Sequence, residues 1–246
     1  RTAEDRHLES LRIVVSGAEK CPDQVYATLA RRWPRTTVLE GYGITECSPV
    51  VSVNREEDPR TGTIGKPLVS VEWAIVDLEA GRRVEPGQAG MLLVRGPSIF
   101  SGYLNPDVES PFESFEGRDW YRTGDLVRQE RGVLVFAGRL KRFVKLGGEM
   151  VSLPAIEEAL AKRFQGEDEI EPLLAVEATP EDLNPDLILF SVAGIGRDDA
   201  NAAIRAAGLS SLHNIRVVRQ IDQIPTLGTG KTDYRALKAL LEEAST

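Results

Sequence analysis

A chain of 246 residues with 41% hydrophobic and 28% charged residues can bury a sizeable core, and its length points to one large plus one small domain. The net charge of −8 argues against a nucleic-acid groove, and apolar runs such as RIVVSGA (12–18) and DLILFSVA (186–193) fall far short of the ~20 residues of a membrane helix. Cys21 and Cys47 stand far apart, outside any disulfide-framework or zinc spacing, which fits a reducing cytoplasm.

The opening RTAEDRHLESLRIVV carries no initiator Met and no signal-peptide pattern, and reads as the inside of a longer chain. A strand is expected over 12–16, a helix opened by Pro22 over 22–33, and a strand over 36–40, an α/β alternation consistent with a buried parallel sheet. From about residue 61 the pattern changes to short strands punctuated by Gly and Pro, over 71–77, 90–96, 125–129 and 133–139. That pattern predicts a small antiparallel barrel or sheet. Beyond Gly138 come RFVKL, a helix over 154–164, strands over 171–178 and 186–192, a helix over 198–208, a strand over 215–221 and a closing helix over 233–244. The expected organisation is the end of a large α/β domain (1–60), a β subdomain (61–138) and a small α+β domain (139–246).

Three stretches carry chemistry. GYGITE (41–46) is expected just past a strand end, where open α/β sheets gather ligands. Its Thr45 and Glu46 offer hard oxygens for Mg²⁺ and phosphate, Tyr42 a flat face for a base, and Gly41 and Gly43 a close backbone approach. WYRTGDL (120–126) sets Asp125 behind Gly124, and a lone carboxylate can accept two hydrogen bonds from a diol. PTLGTGKTDY (225–234) fails as a Walker loop because Pro225 stands where its first Gly belongs, leaving Lys231 as a cation on a glycine-flanked loop. Each stretch, alone, fits a plain turn or an exposed lysine as well as a site. GRLKRFVK (138–145) adds a basic patch of Arg139, Lys141, Arg142 and Lys145, suited to an anionic ligand or an acidic protein, or simply a solvated loop.

In order along the chain, SGAE (16–19), GYGITE, GMLLVRG with GYLN (90–105), YRTGD, GRLKRFVKLGGEMVSLPAIEEAL and PTLGTGK resemble the core motifs of the adenylate-forming superfamily, which includes acyl-CoA synthetases, nonribosomal adenylation domains and luciferases. The resemblance spans 11–240. Within it, GYGITECSPVVSVN and GGEMVSLPAIEEAL are most similar to the acyl-acyl-carrier-protein synthetase half of bifunctional 2-acylglycerophosphoethanolamine acyltransferases.

The resemblance implies a role for each matching residue. Tyr42 packs on adenine, Thr45 contacts the α-phosphate, Glu46 binds Mg²⁺, and Gly17, Ala18 and Glu19 lie against adenine and the acyl pocket, with Gly43 in the same nucleotide-binding element. Asp125 holds the ribose hydroxyls and Arg139 follows it in the ribose and phosphate contacts. Lys141 is the hinge of a mobile small domain; Lys145, Gly147 and Gly148 form the face for the thioester step; Lys231 is the catalytic lysine of adenylation and contacts ATP. Gly90 and Met91 stand where the family commonly carries Gly-Glu, so no acid is assigned there.

The implied activity is ATP- and Mg²⁺-dependent activation of a fatty acid as its acyl-adenylate, followed by transfer to the phosphopantetheine thiol of acyl carrier protein or, alternatively, to coenzyme A. The family's phosphate loop and most of its acyl pocket are expected upstream, so the chain alone is expected to be inactive. A non-catalytic nucleotide-binding module is the rival reading. Expected location is the cytoplasm, at the inner-membrane face only through upstream segments, with no nucleic-acid partner.

Overall fold

The β-branched run Ile13 to Val15 opens strand β1 (Ile13–Ser16). The computed structural model describes residues 8–166, 171–179, 185–228 and 230–243, with side chains of the last helix described through 241. The chain divides into two units, 1–140 and 141–246.

In the first unit, α1 (Asp23–Arg32) starts after Pro22, with Asp23 in its first turn and Arg31 and Arg32 in its last, charges that suit the helix dipole. It returns the chain to β2 (Thr37–Gly43), which runs parallel to β1 with Ser16 opposite Glu40. The expected strand over 36–40 thus continues through GYG. β3 (Val50–Val53) and β4 (Lys66–Pro67) extend the sheet antiparallel, in the order β1-β2-β3-β4, so only the β1–β2 pairing is parallel. Buried Glu40 ties the layer together by accepting from the Tyr26 hydroxyl and from the backbone N–H of Gly62 (2.7 Å) and Cys21 (3.3 Å).

The next sheet comprises β5 (Glu72–Val76), β6 (Ala89–Arg95), β7 (Phe112–Phe115), β8 (Arg118–Glu130) and β9 (Val133–Arg139), all antiparallel. The first half of β8 pairs with β7 and the second with β9. Thirteen residues of β8 therefore curl the sheet, as the subdomain pattern predicts. Tyr42, Cys47, Val51, Leu92, Val94, Val127 and Leu134 bury together in one core. Gly90 is required in β6, since a Cβ there would lie 2.6 Å from the Val76 carbonyl oxygen, and Met91 beside it is buried.

The second unit begins with a hairpin of β10 (Phe143–Leu146) and β11 (Glu149–Ser152). The Ser152 side chain caps α2 (Leu153–Phe164) by accepting from the Ala155 N–H at 3.3 Å, with Pro154 in the first turn. β12 (Leu174–Ala178) pairs antiparallel with β13 (Leu187–Ser191), which pairs parallel with β14 (Val217–Gln220) after α3 (Arg197–Ala206). The period-two alternation splits two cores. Val176, Leu187 and Leu189 pack with Ile156, Leu160 and Ile204 of α2 and α3, while Ala175, Ile188 and Phe190 pack with Leu237 and Leu241 of α4 (Tyr234–Glu243).

Candidate active site

The motifs of the first unit converge on the middle of β2 and the bend in β8. After β1, the SGAE turn places Ala18 at φ +69°, and a Cβ on Gly17 would come within 3.3 Å of the Gly41 carbonyl oxygen, so the turn lies against β2. Gly43 leaves no room for a side chain, because a Cβ there would sit 2.2 Å from the Pro49 carbonyl oxygen. The close approaches at both glycines of GYG are to the chain's own backbone. Gly41, in turn, faces the Ser52 carbonyl oxygen at 3.2 Å from its would-be Cβ. GYG is strand rather than the expected turn, and the turn that follows is a 3-10 turn over Thr45–Cys47.

Asp125 corrects the sequence reading in a useful way: it sits inside β8, not at a turn. Met91 pairs with Leu126 and Leu93 with Arg122, so Thr123, Gly124 and Asp125 stand opposite the single residue Leu92. Gly124 at φ +74° permits this bulge, and the Thr123 hydroxyl fixes it by donating to the Leu92 carbonyl at 2.8 Å. A bulge re-aims a side chain. Here it leaves Asp125 only 2% exposed, with Oδ2 accepting the Tyr42 hydroxyl at 2.6 Å and Oδ1 facing Arg139 Nε at 3.1 Å.

Burial raises the Asp125 carboxyl above the usual carboxylate range, partly offset by the Tyr42 hydrogen bond and the Arg139 charge. Burial, with the Asp125 charge second, likewise pushes the Tyr42 hydroxyl well above its ordinary value. Arg139, the cross-strand partner of Asp125, keeps 63% of its side chain exposed. An acid buried against an exposed cation and a neutral hydroxyl retains lone pairs for further donors. Tyr42 is 9% exposed, with Phe136 6.2 Å away between ring centroids.

Thr45 is exposed at the start of its turn, and Glu46 beside it accepts from the Tyr103 hydroxyl at 2.8 Å. The Phe100 N–H donates to the Glu46 carbonyl at 2.8 Å, and Phe100 packs edge-on against Tyr103 and Tyr121. GYLN thus supplies a partner for Glu46 through Tyr103, a role the sequence reading did not assign. Among the described residues no group of three or more His, Cys, Asp and Glu side chains could hold a metal alone.

The remaining candidates belong to the second unit. Lys145 lies in β10 opposite Met150; Gly147 and Gly148, at φ +58° and +88°, form the two-residue turn of the β10–β11 hairpin, as a type I′ turn requires. Lys231 is exposed on a loop whose base is closed by pairing of Thr226 with Thr232 and by the Leu227 N–H donating to the Lys231 carbonyl at 2.7 Å. Lys141 begins the unit, within a 3-10 turn over Leu140–Arg142. Arg142 leaves the expected basic patch. Only 11% of its side chain is exposed, and it is paired with Glu157 and Glu177.

Residues 1–104 match the family model for AMP-binding enzyme. Novobiocin biosynthesis protein H of Streptomyces niveus is 32% identical over 240 residues, 92% of this chain and 38% of that protein. The long-chain fatty acid–CoA ligase of Escherichia coli O157:H7 is 39% identical over 142 residues, 55% of this chain and 25% of that ligase. The crystal structure of ATP-bound MatB from Rhodopseudomonas palustris aligns with a TM-score of 0.76 at 26% identity, over 96% of this chain and 46% of that one.

These matches support a place in the AMP-binding enzyme superfamily, the class of acyl-CoA ligases and nonribosomal adenylating enzymes, and the fold is that of this class. The chain spans less than half the length of these relatives.

Proposed function

We propose that the chain is part of an AMP-forming acid–thiol ligase that activates a fatty acid with ATP and passes the acyl group to the phosphopantetheine thiol of acyl carrier protein. The observation that carries the reading is Asp125: a buried carboxylate, aimed by a bulge, beside an aromatic hydroxyl and an exposed arginine. Such a group suits a ribose diol. In the first step the fatty acid carboxylate attacks the α-phosphorus of ATP and pyrophosphate leaves. In the second the thiol attacks the acyl carbonyl, losing its proton, and AMP leaves.

Each residue then has a task. Asp125 accepts the ribose hydroxyls, Tyr42 flanks adenine while holding Asp125, Arg139 and Thr45 meet phosphate oxygens, and the SGAE turn of Gly17, Ala18 and Glu19 borders the base. The Lys231 ammonium offsets charge building on the phosphate in the transition state. Glu46, held through one oxygen by Tyr103, supplies a single carboxylate, which fits Mg²⁺ because that ion takes one or two carboxylates and completes its shell with substrate phosphates and water. Bound there, Mg²⁺ would offset negative charge on the phosphates. Rotation at Lys141 would exchange Lys231 for the face of Lys145, Gly147 and Gly148 between the two steps.

Coenzyme A as acceptor is the second reading, favoured by the match to the E. coli ligase. Withdrawal of Arg142 from the surface also removes one cation from the patch offered to acidic carrier protein. The test gives the full-length protein a labelled long-chain fatty acid, ATP, Mg²⁺ and equal holo acyl carrier protein and coenzyme A. Mainly acyl-carrier protein supports the proposal, mainly acyl-CoA replaces the acceptor, and no AMP release from any acid leaves a nucleotide-binding module. These 246 residues alone are expected to give no useful pyrophosphate exchange.

A further inference from the structure

The second unit buries a charged cluster that the reaction does not use directly. Arg142, in the turn beside Lys141, donates to Glu157 of α2 at 2.8 Å, to Glu177 of β12 and to the Val176 carbonyl at 3.0 Å. Its guanidinium carbon lies 3.6 Å from the centre of the Tyr234 ring, and the Tyr234 hydroxyl donates to Glu157 at 3.0 Å. Glu157 also accepts from the Val176 N–H at 2.8 Å. One planar cation thus joins the turn, a helix, a strand and the first residue of α4.

Tyr234 stands three residues beyond Lys231, and everything between them is fixed. Asp233 caps α4 by accepting from the N–H of Arg235 (3.0 Å) and Ala236 (3.2 Å), and its own N–H donates to the Pro225 carbonyl at 2.8 Å. Thr232 pairs with Thr226 across the loop base. The foot of the Lys231 loop is therefore built onto the same cluster that holds the residue next to Lys141.

We propose that Arg142 is a positioning residue: with Glu157, Glu177 and Tyr234 it locks the Lys231 loop to the segment at Lys141, so that both turn as one body. This deepens the proposed function and rests on its assignment of Lys231. A buried, multiply bonded guanidinium suits the task because its fork is planar and always charged, whereas a lysine could not reach three acceptors and stack on a ring at once.

The test uses the full-length protein and two readouts. Hydrogen exchange over 225–233 should speed about tenfold in Arg142→Met relative to the β5–β9 sheet, since local opening replaces a fixed loop. Pyrophosphate exchange should show kcat lowered about tenfold with the KM for ATP within about twofold, the mark of a misplaced group rather than lost binding. Tyr234→Phe keeps the stacked ring and should give smaller changes of the same kind, and decides the matter if Arg142→Met does not fold. Arg142→Lys should restore stability more than kcat.

Leu189→Ala, a core change away from the cluster, should lower stability and leave kcat unchanged at temperatures where the protein is folded. Unchanged hydrogen exchange over 225–233, or unchanged kcat with faster exchange, overturns the proposal. A wild-type protein without pyrophosphate exchange sinks the ligase reading instead, and hydrogen exchange alone then decides whether the cluster holds the loop.

Discussion

Buried acids occur in both units, and their partners differ. Asp125 in the first unit is matched by a tyrosine hydroxyl and by an arginine that is 63% exposed. Glu157 and Glu177 in the second share Arg142, itself 11% exposed, with Tyr234 and backbone groups filling the remaining positions. Burial raises all three carboxyls. A closed cluster with a buried counter-charge is scaffold; an acid whose counter-charge is exposed keeps acceptor positions for a ligand.

The sharpest way to break that contrast is to remove the buried cation. Arg142→Met strands two glutamates in the second unit and should cost about 3–5 kcal/mol of its stability, read by chemical denaturation. The pH dependence has a definite sign. Arg142 holds both carboxyls down, with Lys238 helping at Glu177 and Tyr234 bonding Glu157; without it they rise further. The variant therefore recovers stability relative to wild type as pH falls and the glutamates take up protons, and its deficit grows as pH rises through their elevated values. A deficit independent of pH between 4 and 8 would contradict the assignment.

Lys231→Ala comes next. It should lower pyrophosphate exchange by about 10²–10³, as removal of one transition-state charge stabiliser does elsewhere, while thiol transfer from preformed acyl-adenylate changes little. Equal loss in both half-reactions would mean that Lys231 is not confined to the first.

Asp125→Asn tests the open site directly. Hydrogen bonds to a charged acceptor are worth about 1.5–3 kcal/mol, so AMP should bind about 10–100-fold more weakly by calorimetry, with little change in stability. Tyr42→Phe is milder, a loss of about tenfold or less, but it should move the pH profile. Asp125 accepts both hydroxyls of a diol best when ionised, so binding weakens as pH drops through its raised pKa. Tyr42 lowers that pKa by donating, so its removal shifts the acid limb to higher pH.

Much of the fold is legible because strand and helix periods are local. The runs over 71–77, 90–96 and 133–139 and the helix over 154–164 all reappear with ends shifted by a residue or two. What escaped depends on distant partners. GYG looks like a turn until β3 pairs with it, and Gly43 is fixed by Pro49, not by its own neighbours. Asp125 looks like a turn acid because Gly124 marks a bulge that exists only opposite Leu92. Arg142 sits among cations in sequence and shares their charge, but Glu157 and Glu177, 15 and 35 residues away, take it inside. Tyr103 had a visible signal in GYLN, yet its partner Glu46 lies 57 residues back.

The smallest effects are expected at the β10–β11 turn, where fold and function can be separated. Gly148 stands at φ +88° with no heavy atom within 4 Å of a would-be Cβ, so Gly148→Ala meets no clash and costs only backbone strain, about 1 kcal/mol. Gly147 is at φ +58°, and Asn-Gly is a favoured pair in such a turn, so Gly147→Asn should leave stability unchanged. If the pair is merely a turn, both variants transfer acyl groups from adenylate to thiol at the wild-type rate once folded. If a pantetheine arm passes along this backbone, Gly147→Asn slows thiol transfer several-fold despite its neutral stability and leaves pyrophosphate exchange intact, because added side-chain atoms occupy the approach and not the nucleotide site.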